Sequence, residues 1–245
     1  MAHSIDTALI LAGGFGTRLR GLFPDLPKVL APILSRPFLE WQIHSLRHSG
    51  IRRLVLCLGH RATAVLDYVH ARPADGLAIE FSIESEPLGT AGAIRLAAPW
   101  LSAPALVLNG DTFLPSGYLE LIQPHVAAQP APLATMALSR MDDTRRYGSV
   151  RLSPESSVLS FHEKSTAGAA LPSPGLVSAG AYVLDRSILP FIAPSGPSSI
   201  ESDVFPAILA AGARILGATT SQPFFDMGTP EGHHSLERFL QDHGQ

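Results

Sequence analysis

The chain has 245 residues, 46% of them hydrophobic and 16% charged, and a net charge of −3 at pH 7. This size and apolar content suit one large α/β domain or two small ones and exclude an intrinsically disordered chain. The charge balance gives no global attraction to nucleic acid or to anionic membrane, so phosphate recognition has to come from a local basic cluster.

No apolar run approaches the ~18 residues of a membrane span, and the first residues carry no basic signal region. The expectation is a cytoplasmic protein with no membrane or nucleic-acid partner. A first strand is read at residues 8–11, a continuous apolar run of the buried, parallel-sheet type. The glycine loop Gly13-Gly14-Phe15-Gly16 and a basic, proline-bearing segment follow. Pro37 opens a helix over residues 38–49, with Trp41 as core and Gly50 as C-cap. Residues 54–58 form a second strand holding the one cysteine, Cys57, which is expected to be a small core residue and not a nucleophile. A helix at 62–70, a turn at 72–76 and a strand at 78–83 come next. Thr90 is expected to cap a helix over 91–97, and a strand at 105–108 runs straight into Asn109-Gly110-Asp111.

This alternation implies a parallel, right-handed βαβ sheet. Beyond Asp111 the pattern changes. It gives a helix at 117–127, strands at 133–138, 149–152, 158–162 and 177–184, and a small-residue loop at 165–175. A helix at 200–211, a strand at 214–218 and a last helix to about residue 241 follow. The chain is read as a single α/β domain, residues 1–245, with lobes at 1–111 and 112–245. The fold class is a Rossmann-like mixed, mostly parallel sheet flanked by helices.

The glycine loop carries the first chemistry. A Walker A loop needs a lysine that is absent here. A dinucleotide fingerprint needs a third glycine where Leu19 stands. What remains is a turn whose backbone N–H groups can approach phosphate oxygens, followed by Arg18, a fork, and Lys28, a point charge. The chain has 16 arginines but only two lysines, Lys28 and Lys164. Each lysine therefore hints at a site wanting a compact ammonium.

Leu11-Ala12-Gly13-Gly14-Phe15-Gly16-Thr17-Arg18-Leu19 with Pro27-Lys28 resembles the opening of the sugar-1-phosphate nucleotidylyltransferases. Four further stretches resemble that family in order: Glu86 to Ala93, Asn109-Gly110-Asp111, Glu163-Lys164 and Phe225 to Thr229. Within it, segments such as Arg36 to Glu40 and Arg146 to Val150 resemble the D-glycero-α-D-manno-heptose 1-phosphate guanylyltransferases. The resemblance implies a Mg²⁺-dependent transfer in which a sugar 1-phosphate attacks the α-phosphorus of a nucleoside triphosphate. It also implies the short form of the family, without a β-helix domain.

By resemblance, Arg18 and Lys28 hold the triphosphate. Leu11, Gly13, Gly14, Gly16, Thr17, Glu84, Gly89, Thr90 and Gly110 line the nucleotide site. Gly148, Glu163, Lys164 and Ser178 line the sugar-phosphate site, and Asp111 and Asp226 hold the metal. Ser178 stands where relatives usually carry asparagine, so one amide contact to the sugar is not expected here. Chemically, two carboxylates on a hard cation, with arginine and lysine on phosphates, are what such a transfer requires.

Glu84 occupies the base-reading position and can only accept hydrogen bonds, which suits the adjacent donors of guanine and favours GTP. The alternatives are a mannose-1-phosphate guanylyltransferase, a uridylyl- or thymidylyltransferase, and a non-catalytic sugar-nucleotide sensor. Homo-oligomerisation is left open by the sequence.

Overall fold

The computed structural model describes residues 5–19, 21–73, 75–101, 104–144, 147–162 and 174–243. Its first half runs β1 (Thr7–Ala12), the ribbon β2 (Pro32–Ile33) and β3 (Arg36–Pro37), α1 (Phe38–His48), β4 (Arg53–Leu58), α2 (Ala62–Ala71), β5 (Ala78–Ile83), α3 (Gly89–Leu96) and β6 (Ala105–Asn109). β1 pairs parallel with β4 and with β6, and β4 pairs parallel with β5. Leu54 to Leu58 are all buried, as a strand covered by helices on both faces must be.

The second half runs β7 (Thr112–Phe113), α4 (Leu119–Ala127), β8 (Ala134–Met141), β9 (Ser149–Leu152), β10 (Val158–His162) and β11 (Gly175–Leu184). It ends with α5 (Phe205–Ala210), β12 (Ile215–Thr219), β13 (Phe225–Asp226) and α6 (Pro230–Asp242). One nine-stranded mixed sheet includes strands from both halves, in the order β10-β9-β11-β6-β1-β4-β5, with β8 paired to β11 and to β12.

β11 is the strand that joins the halves. Its residues 181–184 run antiparallel to β6, and its start pairs with β9 and β8. The register shifts between Ser178 and Tyr182, and Gly180 at that step has φ +70°. A Cβ there would lie 2.6 Å from Thr112 Oγ1 and 2.9 Å from Asn109 Nδ2, so both the turn and the close approach require glycine.

The period-2 alternation of the strands divides the core. Ile10, Leu54 and Leu56 face α1, α2 and α4 through Leu39, Ile43, Val65 and Leu121. Leu9, Val55 and Cys57 face the other way, with Ile94 of α3 and Ile208 of α5. A third cluster joins Leu236 and Leu240 of α6 to Phe38, Trp41, Phe113 and Met227. It anchors the chain beside Asp111 and Asp226.

Some expectations are corrected. Thr90 does not cap α3: the helix begins at Gly89, the N-cap is Leu88, and no side chain caps it. The Thr90 hydroxyl instead donates to Glu201 at 2.7 Å and accepts from the Ile200 N–H at 2.8 Å, a tertiary partnership that outweighs the local rule. Pro37 belongs to β3 and stands just before α1. The helix expected at 200–211 starts as a π-helical turn, Ile200–Val204, with Ser199 accepting from the Ser202 N–H as its cap. Glu163 and Lys164 lie outside the described residues, as does most of the loop expected at 165–175.

Candidate active site

Two cavities open where β1, β5 and β6 end, the crevice position expected of an open α/β sheet. The larger, of about 340 Å³, is lined by Leu11, Gly13, Gly14, Gly16, Lys28, Glu84, Gly89, Thr90 and Gly110. Nine of the eleven residues expected around the nucleotide and its triphosphate are therefore brought together there. Thr17 is not among the lining residues, and Arg18 lines the smaller cavity of about 140 Å³, with Gly148, Ser178 and Asp226. Asn109 and Asp111 line both, so they stand at the seam between the two cavities.

The carboxylates converge because β7 and β13 form a two-stranded ribbon that pairs Thr112 with Asp226. The Met227 N–H donates to the Asp111 carbonyl at 2.8 Å, and the Gly228 N–H donates to Asp226 Oδ1 at 2.8 Å. Lys28 Nζ donates to Asp111 Oδ2 at 2.7 Å, and Arg18 Nη1 lies 4.0 Å from Asp226 Oδ2. The Arg18 side chain is half exposed, so solvent screens that pair. Burial, and next the charge of Asp111, hold the Asp226 carboxyl above its ordinary pKa against the opposing pull of the Gly228 N–H, Arg18 and Lys28.

Gly228 measures the space between these groups. A Cβ there would lie 2.7 Å from Asp111 Oδ2, 2.7 Å from Asp226 Oδ1 and 3.0 Å from Lys28 Nζ. Two hard oxygens thus face one small volume, and their mutual repulsion is what a divalent cation would relieve. Among the described residues no group of three or more metal-ligating side chains exists. Two carboxylates that leave coordination positions free for water and phosphate oxygens could hold a hard divalent cation such as Mg²⁺.

Glu84 is fixed from three sides. Its N–H donates to the Leu58 carbonyl at 2.9 Å and its Oε2 accepts from the Leu88 N–H at 3.1 Å. Its Oε1 sits so close to Gly13 and Gly59 that a Cβ on either would collide with it. At Gly59 a Cβ would also lie 2.9 Å from the Gly13 carbonyl oxygen, so backbone and Glu84 together require glycine there. Gly89, at φ +72°, is a glycine because a Cβ would lie 2.5 Å from the Ser198 carbonyl oxygen.

Three residues of the site escaped the sequence reading as contacts. Asn109 has a buried Oδ1 with no partner among the described residues. Its signal was its being the chain's one asparagine, two places before Asp111. Tyr182 and Glu201 line the smaller cavity, and nothing in the sequence marks either one.

The sequence profile of the family described as Nucleotidyl transferase matches residues 7–243. The D-glycero-alpha-D-manno-heptose 1-phosphate guanylyltransferase of Campylobacter jejuni is 33% identical over 229 residues, which are 93% of this chain and 96% of the relative. The mannose-1-phosphate guanylyltransferase of Mycobacterium tuberculosis is 33% identical over 231 residues, 94% of this chain but 62% of the relative. Among solved structures, HddC from Yersinia pseudotuberculosis complexed with GMP-PN superposes with a TM-score of 0.81 at 30% identity, covering 96% of this chain and 100% of that one.

Proposed function

This chain belongs to the nucleotidyl transferase family, and we propose that it transfers GMP from GTP to a sugar 1-phosphate, D-glycero-α-D-manno-heptose 1-phosphate, giving GDP-heptose and pyrophosphate. The observation that carries the reading is Asp111. It lines both cavities and faces Asp226 and Lys28 across one small volume, so a nucleotide and a sugar phosphate in the two cavities would meet there. The reaction needs no protein nucleophile. An oxygen of the sugar phosphate forms a bond to the α-phosphorus, the bond from that phosphorus to the bridging oxygen breaks, and pyrophosphate leaves with the electron pair. The protein has to align two anions that repel each other and offset the charge on the leaving group.

The residues divide that work. The N–H groups of the Gly13–Gly16 loop and the Lys28 ammonium bind triphosphate oxygens. Arg18, expected on the triphosphate but lining the smaller cavity beside Asp226, holds the attacking phosphate in line. Lys164 and Glu163 form the sugar-phosphate motif by resemblance, and Gly148 and Ser178 line the smaller cavity. Asp111 and Asp226 hold Mg²⁺, which when bound supplies charge neutralisation for the phosphates. Glu84 accepts from the adjacent N1–H and exocyclic amine of guanine; uracil and thymine offer one donor between two acceptors and fit a carboxylate less well. The continuous sheet supports a single domain of two lobes, and the absence of a helix long and apolar enough to span a membrane, among the described residues, is compatible with a cytoplasmic place.

The heptose reading is supported by the 33% identity to the Campylobacter jejuni heptose 1-phosphate guanylyltransferase over 93% of this chain, and the equally identical mannose relative keeps mannose 1-phosphate as the alternative. The test is pyrophosphate release from GTP, UTP, dTTP and CTP, each paired with heptose 1-phosphate and mannose 1-phosphate in Mg²⁺. Turnover is expected with GTP and fastest with the heptose. Preference for a pyrimidine nucleotide would overturn the assignment of Glu84, and no turnover with any pair would overturn the enzyme.

A further inference from the structure

The smaller cavity has a hydrogen-bonded wall that the phosphate chemistry leaves unused. Glu201 sits in the π-helical turn Ile200–Val204 and lines that cavity. Its Oε2 accepts from Thr90 Oγ1 at 2.7 Å and from Ser199 Oγ at 3.0 Å. Its Oε1 accepts from the Tyr182 hydroxyl at 3.3 Å, which is longer than an ordinary O–H···O bond. The Tyr182 hydroxyl in turn lies 3.2 Å from Ser178 Oγ. A carboxylate offers about four acceptor positions and no donor. One oxygen of Glu201 is thus engaged by two bonds, at 2.7 and 3.0 Å, and the other, with one long bond, keeps acceptor capacity.

The carboxylate is also held in place. The Ala91 and Gly92 N–H groups donate to the Ser198 carbonyl at 2.9 and 3.2 Å, and the Ser198 N–H donates to the Leu88 carbonyl at 2.8 Å. Residues 198–201 and the start of α3 are therefore one hydrogen-bonded body. Thr90 lines the larger cavity and Glu201 the smaller, so the bond between them joins the walls of the two sites. A fixed anion repels phosphate. What it can bind in a cavity beside Asp111 is a hydroxyl donor.

We infer that Glu201 is a specificity-determining residue that accepts a hydrogen bond from a ring hydroxyl of the sugar 1-phosphate, with Ser178 and Tyr182 forming the same wall. This rests on the reading of the smaller cavity as the sugar site. A site built to bind a hydroxyl discriminates strongly against the analogue that lacks it, because its own polar group is then left unpaired.

Calorimetric titration tests the inference without needing turnover. The probes are mannose 1-phosphate, its 2-, 3- and 4-deoxy forms, and GTP, on wild type, Glu201→Gln and Tyr182→Phe, with thermal midpoints as the folding control. Glu201→Gln keeps the shape and replaces one acceptor by a donor. It is expected to weaken mannose 1-phosphate by about 10- to 100-fold while GTP stays within about threefold. One deoxy form should lose a similar factor on wild type and nothing further on Glu201→Gln. Should Glu201→Gln not fold, Tyr182→Phe is expected to weaken the same deoxy discrimination.

Equal deoxy penalties on wild type and variant, or equal loss of GTP and sugar affinity, would overturn the role of Glu201 and leave the transferase reading standing. Normal sugar binding with no turnover by wild type would overturn the transferase and leave Glu201 standing. No sugar 1-phosphate binding to wild type would overturn both.

Discussion

Gly228→Ala places one methyl group at the meeting point of the charged groups of the site. The new Cβ would lie 2.7 Å from Asp111 Oδ2 and 2.7 Å from Asp226 Oδ1, with Lys28 Nζ at 3.0 Å. Non-bonded carbon and oxygen atoms keep roughly 3.3 Å apart, so each carboxylate oxygen has to retreat by about 0.5 Å. Gly228 has no left-handed φ, so alanine is not strained by its backbone. The crowded atoms all end flexible side chains, which holds the stability cost to about 1 kcal/mol, the low end for overpacking. In a chain of this length that is a fall in melting temperature of roughly 2–4 °C. The catalytic cost is larger, because displacements of about an ångström around a reacting centre cost on the order of 10²-fold. We expect kcat for pyrophosphate release to fall about 10- to 100-fold, some 1.4–2.8 kcal/mol on the barrier. The affinity for Mn²⁺ used as a probe should fall with it. A variant that melts within those few degrees and keeps its rate within threefold would refute the convergence of the two carboxylates on the reacting phosphates.

Three further outcomes follow from individual side chains. Glu84→Gln supplies a donor where only an acceptor stood, and the preference for GTP over UTP in kcat/KM should drop by about 10- to 100-fold; an unchanged preference would remove Glu84 from base recognition. Burial, with Glu84's charge adding to it, pushes the Cys57 thiol up to about 12. At pH 8 a disulfide reagent should therefore leave the native protein unmodified and titrate one thiol in urea; rapid modification of the native protein would contradict the buried strand position. Burial lowers the pKa of His125, whose Nδ1 lies 2.9 Å from Thr135 Oγ1. The fold holds this histidine neutral while the unfolded chain protonates near 6.5, so its contribution is complete above that pH and is lost as pH falls below it. The urea midpoint of wild type should drop more between pH 7 and 5.5 than that of His125→Asn, and parallel drops would refute the assignment.

The parts of the fold set by continuous apolar runs were legible in the sequence. Residues 54–58 and 105–108 could only be buried strands, and the glycines after residue 12 could only be a turn. The two-residue strands β2, β3, β7 and β13 were not legible, since a pair of residues has no period to detect. Yet β7 with β13 is what brings Asp226 to Asp111. Thr90 was misread because capping rules are local, whereas its hydroxyl is taken by Glu201, far along the chain. Glu201 itself gave no sign. Its position depends on a π-helical turn and on Ser198 docking against α3, which are tertiary facts. The role of Gly89 was half legible: its place at the nucleotide site was visible by resemblance, but the neighbour that requires glycine there, Ser198, was not.

The central claim is direct transfer of GMP to a sugar phosphate at Asp111. Phosphorus NMR of the protein with GTP, heptose 1-phosphate and Mg²⁺ tests it most directly. The account predicts a new diphosphate ester and pyrophosphate in equal amounts, and no exchange of pyrophosphate into GTP when the sugar phosphate is omitted. Exchange without the sugar phosphate would mean a nucleotidyl–protein intermediate. Release of GDP and inorganic phosphate in place of the ester would mean a different reaction; either result would contradict the account.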